Sequence, residues 1–163
     1  MMSNERHSYW SNGIYREFID GVLRAEVPKQ NGTARWWHPN GQLEKESPVV
    51  NGVTEGLVRE WHENGQLKRE TPFRRGNVDG VVRQWNDQGR LLGEYELRSG
   101  KGIMREWNND GSLELELEII AEGCHRGTIY DDRGRARQVF LWNGRPVSKK
   151  KFLDKFARHS GEV

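Results

Sequence analysis

The sequence predicts an all-β protein, an elongated array of antiparallel β-hairpins followed by a short C-terminal helix. Three observations predict it. Tryptophans recur about every 24 residues, a glycine follows each of them four residues later, and polar and apolar side chains alternate on both sides of that glycine. Self-similarity at such a period is typical of repeat proteins, in which each unit packs against its neighbours.

The repeat unit can be defined from the residues around the tryptophans. Trp37, Trp61, Trp85 and Trp107 are separated by 24, 24 and 22 residues. Each belongs to the pattern Gly-x-x-Arg-x-Trp-x-x-x-Gly-x-Leu, and a glutamate follows five residues after the second glycine. Because all these features recur in register, we interpret the chain as a repeat array. The matching segments are GTARWWHPNGQL, GLVREWHENGQL, GVVRQWNDQGRL and GIMREWNNDGSL.

The domain organisation follows from this pattern. We expect a lead-in over residues 1–12, the array over 13–144 and a basic tail over 145–163. The outer units are degenerate, with Phe18 and Tyr130 in the tryptophan position, as expected for terminal repeats. The predicted units are 13–31, 32–55, 56–79, 80–101, 102–126 and 127–144.

Each unit is predicted to be a hairpin, and two registers are compatible with its turn. A two-residue type I′ turn requires a positive φ at both central positions, and Gln88, which precedes one of these glycines, is poor in that conformation. A type I turn with a G1 bulge requires a positive φ only at the glycine and is therefore favoured. That register sets Trp61 opposite Leu67. A two-residue turn would instead set Arg59 opposite Glu70. Either kind of pair contributes roughly 0.2–1 kcal/mol, so energy does not decide between the registers.

The tail predicts a short amphipathic helix that begins near Ser148. Phe152 and Phe156 are four residues apart and share one face. We expect this helix to fold back on the last hairpin and cover the open edge of the sheet. Residues 145–163 contain six lysines and arginines against two acidic residues, so the tail is basic.

Composition narrows the function classes. The formal net charge of +2 provides no argument for nucleic-acid binding. Cys124 is the single cysteine, which excludes an intramolecular disulfide, and the start of the sequence lacks an apolar signal core. A cytoplasmic protein is therefore expected. No metal-spaced cluster, G-x-S-x-G motif or phosphate-binding loop is present, so we predict no enzyme activity, no cofactor and no metal site.

The recurring side chains are the first candidates for a binding face, and we favour a structural role for them. The aromatic residues are expected to form a spine, and the arginines to pair with the repeat glutamates or stack on tryptophans. His38 and His62 are predicted to be exposed loop residues, too far apart to share a zinc ion. The spine and arginine candidates are Phe18, Trp37, Trp61, Trp85, Trp107, Tyr130, Arg35, Arg59, Arg83 and Arg105.

Other residues are candidates for partner contacts because they are aromatic residues outside the repeat register or belong to the basic helix. These candidates are Trp10, Trp36, Trp142, Lys149, Lys150, Lys151, Phe152 and Phe156.

The pattern resembles the variant MORN repeat family over residues 13–144. The segment most similar to that family's repeat pattern is 61–70, WHENGQLKRE. The resemblance implies an elongated sheet of hairpins with a binding role and no catalysis. Bacterial members of the family are often described as antitoxin components of toxin–antitoxin systems.

The leading hypothesis is a non-catalytic protein-binding module, antitoxin-like or immunity-like, that uses one face of the array and its strand edge. One alternative is peripheral association with anionic lipid through the basic helix. A further alternative is a hidden carboxylate hydrolase. Pairing of the array edge with a second copy of the chain is also left open.

Overall fold

A computed structural model describes residues 5–121 and 123–153, and the chain forms one open antiparallel sheet of 16 strands. Neighbouring strands along the chain are neighbours in the sheet, except that β6 pairs only with β5 and β9 only with β8. The predicted all-β hairpin array is confirmed. The strands are β1 (Arg6–Ser11), β2 (Ile14–Ile19), β3 (Val22–Pro28), β4 (Gly32–Trp37), β5 (Leu43–Val50), β6 (Val53–Thr54), β7 (Gly56–Trp61), β8 (Leu67–Arg74), β9 (Asn77–Val78), β10 (Gly80–Trp85), β11 (Leu91–Arg98), β12 (Lys101–Trp107), β13 (Leu113–Ala121), β14 (Cys124–Tyr130), β15 (Ala136–Trp142) and β16 (Arg145–Pro146).

The sheet begins earlier than the sequence indicated. β1 lies inside the stretch 1–12, which was expected to be a lead-in, and pairs along its whole length with β2. The signal was weak because β1 itself carries no part of the Gly-x-x-Arg-x-Trp pattern. Its turn, at Asn12 and Gly13, was not recognised either.

Two kinds of turn alternate along the array. After each repeat tryptophan, the glycine has a positive φ and closes a type I turn with a G1 bulge, as favoured from the sequence; Gly65, with φ 81°, donates its N–H to the His62 carbonyl. At the opposite edge both central residues have a positive φ, for example Asn51 at 52° and Gly52 at 77°, which defines a type I′ turn. These type I′ turns were missed in the sequence.

The hairpins combine the two registers that the sequence analysis treated as alternatives. Trp61 lies opposite Leu67, and Arg59 lies opposite Glu70, because the register shifts between Glu60 and Trp61. The same shift recurs between Trp36 and Trp37, Gln84 and Trp85, and Glu106 and Trp107. A β-bulge therefore follows every repeat turn and restores the second register within the same hairpin.

The sheet has one face that holds the small core. We call it the core face; it carries Ala34, Val58, Val82, Tyr95 and Leu97, all of which are buried. The total accessible surface is 10903 Å², against about 8,400 Å² for a compact monomer of this mass. A single layer covers little of its own surface, so the chain depends on a thin core and on regular pairing between strands.

A helical turn follows the last strand over residues 149–153. Phe152 is 1% exposed and its ring lies 5.3 Å from that of Phe140 on β15. The predicted helix therefore folds back on the last hairpin, as expected. Phe156 lies outside the described residues.

Candidate functional site

The face opposite the core carries a regular row of charges, which we call the ladder face. The repeat arginines pair with the repeat glutamates, as the sequence analysis favoured, and in every pair the arginine Nε donates to a glutamate carboxylate oxygen. These pairs are Arg16–Glu26 at 2.6 Å, Arg35–Glu46 at 2.8 Å, Arg59–Glu70 at 3.0 Å, Arg83–Glu94 at 3.1 Å and Arg105–Glu116 at 2.9 Å.

The pairs join into a longer sequence of alternating charges. Glu46 lies opposite Arg59 across β5 and β7, and Glu70 lies opposite Arg83 across β8 and β10. Each of these glutamates therefore has an arginine on both sides. Because every ladder arginine has a carboxylate partner, the row has little net field with which to attract an anion.

The aromatic spine residues are all half-buried, and Trp107 shows how one of them packs. Its ring lies against Gly93 and is 6.3 Å from that of Tyr95, on the core face. Strict alternation along a strand predicts that Arg105 and Trp107, two residues apart, share one face. This prediction is wrong, because Arg105 lies in the ladder and the register shifts before Trp107.

A polar row interrupts the core face, and the sequence analysis missed it. Arg69 pairs with Glu106 and donates to Gln84 at 3.1 Å, and Lys45 pairs with Glu60 at 3.0 Å. Burial lowers the pKa of the Arg69 guanidinium, but the hydrogen bond and charge of Glu106 more than offset this and raise it. These residues vary from unit to unit, so the repeat pattern did not reveal them.

The repeat histidines hydrogen-bond to the main chain of the next unit. Nε2 of His38 lies 2.9 Å from the Trp61 carbonyl, and Nε2 of His62 lies 3.0 Å from the Trp85 carbonyl. A carbonyl only accepts, so each Nε2 carries a proton and donates. Both histidines lie in loops, as expected, but the expectation that they are exposed is wrong, because the bonds hold both rings half-buried against the next unit.

Among the described residues, the N-terminal hairpin exposes the largest aromatic surface. Tyr9 is 48% exposed and Trp10 is 59% exposed. Trp10 touches Tyr15 with ring centroids 5.6 Å apart, while Tyr9 stacks on Phe18 at 6.0 Å on the other side of the strand. Aromatic side chains therefore lie on both faces of β1.

The other candidate contact residues differ in accessibility. Trp36 is half-buried on β4, with the Lys45 amine 5.8 Å from its ring. Trp142 is half-buried and lines an open cleft of about 500 Å³ beside the helical turn. Phe152 was predicted as a candidate contact, and this is wrong because the ring is buried against Phe140. Lys149, Lys150 and Lys151 are exposed.

Cys124 is fully buried on β14, as expected of a small apolar residue. Burial raises the pKa of its thiol, although the charge of Arg126 acts in the opposite direction. Within the described part of the chain, no group of three or more His, Cys, Asp or Glu side chains could hold a metal ion. No helix in residues 5–121 and 123–153 is long and apolar enough to cross a membrane.

The repeat geometry agrees with a known family. The model of the MORN repeat variant matches residues 30–51 and 54–75. This chain contains variant MORN repeats. Each matched MORN repeat contains one ladder pair, Arg35–Glu46 in the first and Arg59–Glu70 in the second. MORN repeats are generally binding modules, which is compatible with binding without catalysis.

Other comparisons add little to this MORN-repeat assignment. None of the curated proteins shows significant similarity to the chain. A chain in the crystal structure of the GtfA/B complex bound to UDP and GlcNAc aligns with 99% of this chain at 12% identity and a TM-score of 0.22. The aligned part is 28% of that longer chain. A TM-score this low carries no argument about fold or function.

Proposed function

We propose that this MORN-repeat protein is a non-catalytic protein-binding module whose contact surface is the N-terminal hairpin. The observation that carries the proposal is the exposure of Tyr9 and Trp10, at 48% and 59%. Tyrosine, tryptophan and arginine dominate the energetic centres of protein interfaces, and Arg6 stands on the same strand.

The size of the exposed surface supports a contact. A tryptophan side chain buries 150–250 Å² when it is covered, so the exposed part of Trp10 is on the order of 100–150 Å². At about 25 cal/mol per Å², covering it contributes roughly 3 kcal/mol before the costs of association. Tyr9 adds to this from the other face of the strand. Tyr9 and Trp10 therefore supply anchoring contacts, and further contacts of the interface offset the remaining cost of association.

The antitoxin-like or immunity-like role expected from the family resemblance is a finer form of this proposal. In that role the partner is a protein whose activity is blocked when β1 and its neighbours cover it. We place this encounter in the cytoplasm, in line with the sequence expectation.

The test is an affinity capture from native lysate with matched variants. Trp10→Ser and Tyr9→Ser should lose a partner that the wild-type chain retains in a fixed ratio. Leu91→Ser is the matched control, because Leu91 is 47% exposed but lies in the middle of the array. A partner retained by Trp10→Ser and lost from Leu91→Ser would contradict the proposal.

A second candidate is contact with anionic lipid through the helical turn. Lys149, Lys150 and Lys151 are exposed there, and Leu153 is 50% exposed. Stable membrane binding usually takes an apolar anchor as well as basic residues, and the burial of Phe152 leaves Leu153 as the exposed apolar side chain of this turn. Replacing the three lysines by serine should abolish co-sedimentation with phosphatidylserine vesicles if this candidate is correct. Unchanged co-sedimentation would rule it out.

A further inference from the structure

The outer edge of β1 carries main-chain groups in a defined order. Asn12 and Gly13 both have a positive φ, so their two-residue turn makes Ser11 and Ile14 a hydrogen-bonded pair. At the other end of the strand, the Asp20 N–H donates to the Glu5 carbonyl at 2.9 Å. The odd-numbered residues therefore bond to β2.

The even-numbered residues of β1 direct their N–H and C=O groups the other way. These residues are Arg6, Ser8 and Trp10, and β1 is the last strand of the described sheet on this side. Five of the six β1 residues, Arg6 to Trp10, are exposed. Such an edge is a template on which a further strand can pair.

We propose that β1 pairs with β1 of a second copy of this chain, antiparallel and about a two-fold axis at Ser8. The inference deepens the proposed function, since it rests on the same surface and names its occupant. An isologous contact of this kind closes after two copies, which is the commonest symmetry of soluble oligomers. The two sheets then form one continuous sheet in which the outer edge of β1 is paired in both copies, while Tyr9 and Trp10 stay on the two faces of that sheet, where another protein can contact them.

The side chains of β1 are complementary to themselves in this register. Arg6 lies opposite Trp10 of the second copy, and the reverse pair forms on the other side of the axis. A guanidinium over an indole ring is a favourable cation–π contact. His7 lies opposite Tyr9 of the second copy, which extends the ring stack that His7 and Tyr9 already form with Phe18.

Neighbouring symmetric registers are poorer. With the axis at Tyr9 or at His7, the two strands overlap over a shorter stretch, so fewer of the outward main-chain groups find hydrogen-bond partners. Those registers also place Ser8 opposite Trp10 or Arg6, so the cation–π pairs are lost. The register centred on Ser8 uses all three outward residues, Arg6, Ser8 and Trp10, in both copies.

The first test is sedimentation velocity over a concentration series. The wild-type chain should approach twice its mass of 19.0 kDa. Ser8→Pro removes one outward N–H without touching the bonds to β2, and proline is tolerated at strand edges. It should raise the dissociation constant of the dimer by about tenfold or more. Ser8→Thr keeps the N–H and should remain dimeric.

The second test reads the register and is independent of how Ser8→Pro folds. Ser8→Cys brings two thiols together on the axis, at a Cα separation of about 5.5 Å, which a disulfide can span. It should cross-link when copper–phenanthroline is added as oxidant. His7→Cys is the matched control and should not cross-link, because each position 7 faces position 9. The native Cys124 is buried and does not compete.

A wild-type chain that stays monomeric at about 100 µM, or His7→Cys cross-linking as fast as Ser8→Cys, would overturn the inference. Failure of the inference is distinguishable from failure of the proposed function. If the chain is monomeric and captures another protein that Trp10→Ser fails to capture, only the pairing with a second copy is contradicted. If the chain is monomeric and Trp10→Ser captures the same proteins as the wild-type chain, both the pairing with a second copy and the proposed contact surface are contradicted.

Discussion

Arg59 donates from Nε to the Glu70 carboxylate at 3.0 Å, and Glu46 lies opposite the same arginine on its other side. An isolated ion pair and a continuous ladder differ in one measurable respect. Exchanging the two members of an isolated pair preserves the attraction. In a ladder the exchange places each new charge beside a like charge on the next strand.

We therefore predict that the exchange Arg59→Glu with Glu70→Arg does not restore wild-type stability. The carboxylate introduced at position 59 faces Glu46, and the guanidinium introduced at position 70 faces Arg83. Each exposed pair contributes roughly 0.2–1 kcal/mol, so the double variant should lose about 1 kcal/mol of unfolding free energy. Urea denaturation measures the loss.

Salt provides the control for the ladder prediction. The difference between the wild-type chain and the double variant should shrink at 1 M NaCl, where exposed charges are screened within about 3 Å. A double variant as stable as the wild-type chain at low salt would show that the pairs act independently.

Gly93 is predicted to be intolerant of alanine. Its φ is not in the left-handed region, so the demand is steric, because a Cβ atom there would overlap the indole ring of Trp107. Forcing an extra methyl group into a packed site costs about 1–3 kcal/mol. Thermal unfolding of Gly93→Ala should show this loss, and the same substitution in a Trp107→Phe background should cost less. Equal losses in both backgrounds would contradict the contact.

Arg75 is predicted to be replaceable by asparagine with a gain in stability. Arg75 has φ 51° in a type I′ turn, and its backbone N–H donates to Glu55 at 2.6 Å. Asparagine adopts this conformation more readily than arginine, and the backbone hydrogen bond is unaffected. We expect a gain of about 0.5 kcal/mol in chemical denaturation. Ser99→Asn, at the equivalent turn with φ 50°, should behave alike, and a loss in both would contradict the assigned turn type.

Tyr95 is predicted to destabilise the fold when it ionises. Burial raises the pKa of its phenol, although the charge of Arg69 lowers it and those of Glu106 and Glu60 raise it further. Because the folded pKa lies above the unfolded one, the stability contributed is complete below the unfolded pKa of about 10. It is lost as pH rises through the folded pKa.

Two measurements test the Tyr95 prediction. The phenolate absorbance at 295 nm should contain a component with a raised pKa that Tyr95→Phe removes. Stability above pH 10 should also fall less in Tyr95→Phe than in the wild-type chain. An unchanged titration curve would show that the Tyr95 phenol is not desolvated.

The repeat could be predicted from the sequence because it rests on residues with strong positional demands. Gly65 is needed for its positive φ, and Leu67 and Trp61 pair beside it. The bulge could not be predicted. Its extra residue, Lys68, lies between the Glu60–Arg69 and Trp61–Leu67 pairs, and this position needs no special residue type. Sequence reasoning therefore posed a choice between two registers, and the hairpin contains both.

The proposed contact surface was harder to predict than the fold. Trp10 was recognised only as an aromatic residue outside the repeat, since β1 has no repeat motif that would indicate a strand. The burial of Phe152 depends on the position of Phe140, and Phe140 is not one of the recurring positions of the repeat. Accessibility of this kind follows from tertiary packing, so composition and spacing do not contain it.

Hydrogen–deuterium exchange of the chain, alone at low concentration and in its complex, tests the central claim most directly. If the N-terminal hairpin is the contact surface, amides of Arg6, Ser8 and Trp10 should exchange quickly in the free chain and become protected on association. The amides of residues 148–153 should not change. Protection confined to residues 148–153, or to the ladder strands with β1 unchanged, would contradict the claim.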